Sequence, residues 1–236
     1  MMPRMTFTEL REFWRVDLYR HTGETSWRYL LTHVLFSDGD ERFSDGVKYM
    51  FYFRLCRYLK TQRPRVVFWP LYRIAKRVFT HYKYKFSCSI PLWTSIGRGF
   101  YIGHIRDIVI NDRVVIGDNC NIGQGVTIGQ ANRGRRKGTP VIGRNVWIGP
   151  GAKIVGAVRV GDHVAIGANC VVTDDVPDYA VVVGIPGRVI SFDGSAGYVN
   201  RTDYSGGDET GPQPSDEPVL VCPDDVRPGS GKQTAR

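Results

Sequence analysis

Aliphatic residues recur every six positions through the middle of this chain, and that period decides what it can fold into. They stand at Ile90, Ile96, Ile102 and Ile108, then at Ile110, Ile116, Ile122 and Ile128. They resume at Ile142, Ile148, Ile154, Val160, Ile166 and Val172. Four places after many of them comes a small or apolar residue: Cys120, Val126, Val146, Ala152, Val158, Val164, Cys170. A period of six fits neither the 3.6 of a helix nor the simple alternation of a strand. It fits a coil of short flat strands in which each unit makes one side and one corner, and three units close a triangular turn. The aliphatic fills the interior, and the residue four later faces in beside it. The Gly that often follows, as in Ile116-Gly117 and Ile148-Gly149, suits a corner where backbones approach closely. Stacked turns bury one continuous core, as repeat proteins do. The expected fold is mostly β, a parallel β-helix over residues 87–191.

The register breaks twice. The step from Ile102 to Ile110 is eight residues and holds Gly103-His104-Ile105-Arg106-Asp107. The step from Ile128 to Ile142 is fourteen and holds a polar, basic, Gly-rich run from Gln130 to Thr139. Loops on a rigid scaffold are where chemistry tends to be placed.

Residues 1–86 read as a helical segment. Thr6 and Glu9 have capping-box spacing. Helical stripes are expected at Trp27, Leu30, Leu31, Val34 and Leu35, at Val47, Met50, Phe51, Leu55, Tyr58 and Leu59, and at Val67, Leu71, Ile74 and Val78, the last broken near Pro70. Residues 192–236, rich in Gly, Asp, Ser and Pro, are expected to be a disordered tail.

The net charge of +9 is unevenly spread: from Gly46 to Arg106 there are 13 Lys/Arg and no Asp or Glu, with Tyr, Phe and Trp interleaved. Basic amphipathic helices suit an anionic bilayer surface, so beside a cytoplasmic location two readings stay open: peripheral contact with the inner membrane face, or aromatics packed on the coil and across a trimer with the cations solvated. Charge alone would also suit nucleic acid, but no helix-turn-helix, zinc or RNA-binding signature accompanies it, and no nucleic-acid partner is expected. The five cysteines form no CxxC pair and are odd in number, against a disulfide framework or zinc site and in keeping with a reducing cytoplasm. Cys120 and Cys170 fall on the inward register and read as core. His21, His33 and His81 lack metal spacing, and no metal is expected. The start has no apolar signal-peptide core, and no stretch approaches about 18 uninterrupted apolar residues, so no membrane span is expected.

The repeat, His104 and the ending Val176-Pro177-Asp178-Tyr179-Ala180-Val181-Val182-Val183-Gly184-Ile185-Pro186-Gly187-Arg188 resemble the hexapeptide acyltransferases. The serine acetyltransferase-like branch, which includes polysaccharide O-acetyltransferases, is the most similar. The matching stretches are Ile96-Gly97-Arg98-Gly99, His104 with Ile108-Val109-Ile110, Gly125-Val126-Thr127-Ile128-Gly129 and Gly149-Pro150-Gly151-Ala152-Lys153-Ile154. The resemblance implies a left-handed coil, a homotrimer with sites between subunits, and acetyl-CoA as donor. It carries the general base onto His104, whose imidazole titrates near neutrality. It carries backbone oxyanion donors onto Gly129 and Gln130, and the donor groove onto Ala152, Gly167, Ala168, Gly184 and Arg188. Arg133, Arg135, Arg136 and Lys137 are cations suited to phosphate or an acidic acceptor.

On the acceptor side the match is partial. Serine-specific members carry an Asp just before the His, where this chain has Gly103. They carry an acidic partner for it where this chain has Ser89, and a second His with an Arg before it where this chain has Thr139 after Gly138. Ser89 and Asp107 are the candidates to orient the His104 ring. The expected acceptor is a hydroxyl of a sugar in a surface polysaccharide precursor. The alternative is serine, feeding cysteine synthesis, and the non-enzymatic alternative is a scaffold β-helix.

Overall fold

The computed structural model describes residues 4–36 and 45–204. Four helices lead: α1 (Phe7–Thr22), α2 (Trp27–Phe36), α3 (Asp45–Thr61) and α4 (Arg65–Lys85). The coil follows with β1 (Ser95–Ile96), β2 (Tyr101–Ile102), β3 (Val109–Ile110), β4 (Val115–Ile116), β5 (Asn121–Ile122), β6 (Thr127–Gly129) and β7 (Val141–Ile142). It continues with β8 (Trp147–Ile148), β9 (Lys153–Val155), β10 (Arg159–Val160), β11 (Ala165–Ile166), β12 (Val171–Val172), β13 (Val181–Val183) and β14 (Arg188–Ser191). Through β12 every third strand shares a sheet, and β13 joins the second because the first side of that turn is only the isolated bridge of Val176 to Val160. The first side is β1-β4-β7-β10, the second β2-β5-β8-β11-β13, and the third β3-β6-β9-β12, all parallel. This is the left-handed parallel β-helix that the six-residue period and the resemblance together imply.

In-register pairing stacks the aliphatics as columns: Ile96 on Ile116 on Ile142 on Val160, and Ile110 on Ile128 on Ile154 on Val172. All are buried, as are Val114, Cys120, Val126, Val146, Val158 and Val164 at the corners. Each buried branched side chain contributes roughly 1.5–3 kcal/mol relative to exposure. Ile108 takes this corner role, stretched by the two extra residues of its unit, and Ile110 is the strand residue that follows it.

The helices do not form a separate body. Tyr49, Met50, Phe53 and Cys56 of α3, Ala75 and Phe79 of α4, and Phe86 belong to the same core cluster as Ile90, Ile96 and the coil interior. The boundary expected at residue 86 is a change of secondary structure, with apolar contact continuous across it. The capping box at α1 is present: the Glu9 amide donates to Thr6 Oγ1 and the Thr6 amide to the Glu9 carboxylate. The second helical stripe packs inward as expected, with Val47, Met50, Phe51 and Leu59 buried.

The third stripe does not. In α4 the inward residues are Phe68, Tyr72, Ala75, Phe79 and Tyr82, while Val67, Leu71 and Ile74 stand 50–65% exposed. Nor does Pro70 break this helix, which runs on through it. The proline sits on the exposed face, where water can satisfy the one carbonyl that loses its intrahelical partner.

A parallel coil leaves unpaired backbone groups at its first turn, and side chains of α1 and α3 take them up. The Phe100 amide donates to Asp17 Oδ1 (3.1 Å), whose Oδ2 accepts from Arg54 Nε (3.0 Å). Arg54 donates further to the carbonyls of Ile96 (2.7 Å) and Gly97 (2.6 Å), Arg57 to that of Thr94, and Arg20 to that of Gly99 (3.2 Å). The Ile102 amide donates to His21 Nε2 (3.1 Å), and His21 Nδ1 donates to the Asp17 carbonyl (2.7 Å). Burial pushes the Asp17 carboxyl up, against the pull of Arg54 and the Phe100 amide. Burial, with Arg20 and Arg201 acting the same way, holds the His21 imidazole down at about 4.

At the far end β14 pairs antiparallel with β13 and closes the second sheet. The chain then returns along the corner between the first and second sheets, where the sequence suggests only tail. The Ser195 amide donates to the His163 carbonyl, Tyr198 stacks on Trp147 at 4.3 Å, and the Tyr204 hydroxyl meets Asn119 Oδ1. Residues 192–204 are therefore an ordered strap. Their few apolar contacts are joined by hydrogen bonds to a ladder of left-handed corner residues, Asn119, Asn145, His163 and Tyr179. The rest of the expected tail, 205–236, lies outside the described residues, as does the Leu35 side chain.

Two outcomes follow. Asp17→Ala leaves Arg54, only 1% exposed, without its carboxylate. It is expected to lower unfolding free energy by about 3–5 kcal/mol, read by denaturant titration. His21 is neutral when folded and titrates near its ordinary 6.5 when unfolded. Its contribution is therefore complete above about pH 6.5 and fades as pH falls toward about 4. Melting temperatures taken across that range are expected to fall less steeply for His21→Gln than for the unmodified chain.

Candidate functional site

The three sheets meet at three corners, and the two register breaks fall on two different ones. The widened unit lies between the second and third sheets. There Gly103 N donates to the Ile122 carbonyl and Asp107, at φ 53°, donates to the Phe86 carbonyl, while the Arg106 carbonyl accepts from Gly125 N at 2.8 Å. Ile105 is buried beneath. Anchored on both sides, the two extra residues lift His104 off the wall with its side chain exposed. Among the described residues nothing hydrogen-bonds its ring. Ser89 bridges to Val109 through its backbone, and neither it nor Asp107 reaches the imidazole. Gly103 is not forced by crowding, since a Cβ there would first meet Tyr101 Cε1 at 3.4 Å.

The long insertion leaves the third sheet at Gly129 and rejoins the first at Val141. It is a small hairpin: Ala131 and Gly138 exchange both backbone hydrogen bonds. Arg136 turns inward. Its carbonyl accepts from Ala157 N, and its guanidinium reaches Asp175 Oδ2 (2.8 Å) and Asp174 Oδ1 (3.3 Å). That arginine holds the loop to the coil, whereas Arg133, Arg135 and Lys137 are exposed. Gln130 is exposed too, its amide donating to Asn132.

Strands of the third sheet start at the His104 corner and end at the loop corner. His104 precedes β3, and Gly129 ends the adjacent β6. In one chain they stand on opposite edges of one face, about 10 Å apart by the length of a three-residue strand. Val109, Thr127, Lys153 and Val171 point outward between them. Sequence reasoning did not single out Lys153. Its Nζ donates to the Gly125 carbonyl (2.5 Å) and to Thr127 Oγ1 (3.1 Å), placing a cation on the face between the two edges. The signal was available: it alternates with inward Ala152 and Ile154.

The other expected groove residues divide. Gly167, Ala168 and Gly184 lie on the His104 corner at successive turns, with Ala168 and Gly184 exposed. Close stacking explains Gly149 and Gly167, where a Cβ would come within 2.8 Å of Ala168 N and 2.9 Å of Val183 Cγ1. Ala152, on the same corner, is fully buried, with its methyl group packed inside the coil. Arg188 is exposed on β14, at the opposite end of the second sheet from the β2 strand that leads to His104. Five strand spacings separate them, about 24 Å.

Cys120 is buried and its thiol pushed up to about 12, as burial does also for Cys56 and Cys88. Such thiols are core atoms rather than nucleophiles. Among the described residues no three His, Cys, Asp or Glu gather as a metal site.

A family model described as bacterial transferase hexapeptide (six repeats) matches residues 139–174. A serine acetyltransferase of Staphylococcus aureus (strain Mu50 / ATCC 700699) is 46% identical over 99 residues, covering 42% of this chain and 46% of the relative. The β-helix is thus similar to hexapeptide-repeat transferases, and within them to the serine acetyltransferases. Among solved structures, a serine acetyltransferase in complex with CoA has a TM-score of 0.56 at 28% identity, over 76% of this chain and 68% of that one. A Neisseria gonorrhoeae serine acetyltransferase in complex with serine has a TM-score of 0.56 at 25% identity, over 78% and 70%. The chain spans a little under half the length of the Staphylococcus relative.

The coil separates its loop cations into two kinds, and binding should do the same. Replacing Arg135 and Lys137 together by Ala is expected to weaken CoA about three- to tenfold by calorimetry, with a shallower salt dependence. Arg136→Ala should instead speed amide exchange at Ala131, Gly138 and Ala157, where the loop is fastened.

Proposed function

We propose that this chain is an acetyl-CoA-dependent O-acetyltransferase with His104 as its general base. The observation that carries this is the placement of His104: one exposed imidazole lifted from the wall by two extra residues, on the same corner as Gly167, Ala168 and Gly184. A donor lying along that corner has its nucleotide end toward Arg188 and its thioester toward His104. His104 takes the acceptor hydroxyl proton as the oxygen attacks the thioester carbon. The C–S bond then breaks, and the imidazolium returns the proton to the departing CoA thiolate. Backbone N–H groups near Gly129 and Gln130 suit the oxyanion formed between these steps.

Because His104 and Gly129 occupy opposite edges in one chain, the site closes where copies meet, one copy's corner facing another's loop. A homotrimer with grooves between subunits supplies that arrangement. The location fitting this donor is cytoplasmic.

Serine is the acceptor the comparisons favour, since the relatives bear that name and one similar structure holds serine. A second reading, a sugar hydroxyl of a surface polysaccharide precursor, is favoured by one observation. Gly103 has room for a side chain yet carries none, so a carboxylate that could hold an amino group is absent beside His104.

Purified chain with labelled acetyl-CoA, offered serine, free sugars and lipid-linked glycans, decides between them. Serine turnover at rates well above hydrolysis upholds the first reading; transfer only to glycans upholds the second. His104→Ala should lower turnover on the true acceptor by roughly two to four decades while leaving oligomeric mass unchanged. Near-full activity in that variant removes His104 as the base.

A further inference from the structure

Helix α4 carries two apolar faces, and the fold uses one. At 3.6 residues per turn, Phe68, Tyr72, Ala75, Phe79 and Tyr82 form the face against the core. Val67, Leu71, Ile74 and Val78 form a second stripe on its flank, beside exposed Val66, and most of this stripe is open, Ile74 to 65% and Val66 to 85%. Exposed Arg77 borders it and exposed Lys85 lies in line with it two turns beyond, while exposed Arg73 stands farther round the helix over the Trp69 ring at 5.3 Å. No carboxylate lies anywhere from Gly46 to Arg106. Some of that positive charge is structural: Arg54 and Arg57 are committed to carbonyls of the first coil. The cations of α4 are not committed in that way: Arg65, Arg73, Arg77 and Lys85 are exposed along the helix.

We propose that this flank of α4 docks onto an anionic lipid bilayer surface, lying in the interface with Val67, Leu71 and Ile74 inserted and the arginines at headgroup level. Among the described residues no helix is long and apolar enough to cross a membrane, so the contact is peripheral. Charge selects this occupant. A second copy of the same flank would bring arginine against arginine with no acid to offset them. An anionic headgroup layer attracts each cation, and the stripe adds apolar insertion. The chemistry at His104 does not enter the argument.

The test is flotation of the full chain with vesicles of phosphatidylcholine alone or with a quarter phosphatidylglycerol. The chain is expected to float with the anionic vesicles, and to release at about 1 M salt, where the Debye length falls to about 3 Å. Arg73→Gln with Arg77→Gln should weaken partitioning about 30-fold, from roughly fivefold per cation. Leu71→Ser with Ile74→Ser should weaken it comparably, and because these side chains are exposed both doubles should melt as the unmodified chain does. Three results overturn the proposal. One is an unmodified chain that stays in solution with anionic vesicles at low salt. Another is either double variant floating as well as the original. The third is a fall in oligomeric mass for Leu71→Ser/Ile74→Ser by light scattering, which would make the stripe a contact between copies.

Discussion

A coil of parallel strands cannot simply stop, and this one is organised around how its first turn is closed. Each turn lends hydrogen bonds to the next, so the first has amides and carbonyls with no strand beneath them. Left buried without partners, each would cost about 1–3 kcal/mol. The chain answers with side chains instead of a strand. The Asp17 carboxylate takes the Phe100 amide, Arg54 spans the Ile96 and Gly97 carbonyls, and the two are paired to each other. An ion pair so deeply buried gains little net energy, because desolvation opposes the Coulomb attraction. Its value is positional: it joins α1 and α3 to one register of the coil. The aliphatic columns above inherit that register, and so does the corner that presents His104.

With both ends closed, the middle can be regular, and regularity isolates the exceptions. A turn of three equal sides has little freedom, so a two-residue excess cannot spread along the chain and is expelled at one corner. The same holds for the eight-residue excess at another. Their hydrogen bonds show how each is confined: Asp107 to Phe86 and Gly125 to Arg106 below and beside His104, and Ala157 to Arg136 under the basic loop. A rigid frame therefore sets the distance between His104 and the loop through the length of one side. That distance within one chain is too great for the two to act together on one thioester, which is why assembly belongs to the proposed mechanism rather than decorating it.

The fold was legible because its signal is periodic and one-dimensional. Ile96, Ile116 and Ile142 are spaced by the same rule that stacks them, so reading the spacing is reading the packing. The lifted position of His104 was legible for the same reason, as a break in a counted pattern. What escaped was whatever depends on contacts between distant segments. Asp17 and Arg54 look like ordinary helical charges until the first coil lies against them. Residues 192–204 look like tail because their ordering comes from Trp147 and Asn121, not from their own composition. A motif match does not say which way the Ala152 side chain points; its inward register does. Arg136 could not be told from its neighbours, since only the folded loop brings Asp174 and Asp175 to it.

Helix α4 shows the same limit in sharper form. Its sequence contains two apolar series one residue apart, Phe68-Tyr72-Ala75-Phe79 and Val67-Leu71-Ile74-Val78, and either satisfies helical periodicity. Packing chose the aromatic series, because it meets Tyr49 and Phe53 of α3 with ring centroids 5.0 and 6.1 Å from Phe79. Those rings bury more area than the branched aliphatics would in the same space. The aliphatic series was then left outward, against a solvent it does not suit, beside arginines that do suit it. An apolar row in water costs little when its members are scattered and more when they line up as here. A surface that offers hydrocarbon at one depth and negative charge just above it meets both features at once, which neither water nor a second basic helix does.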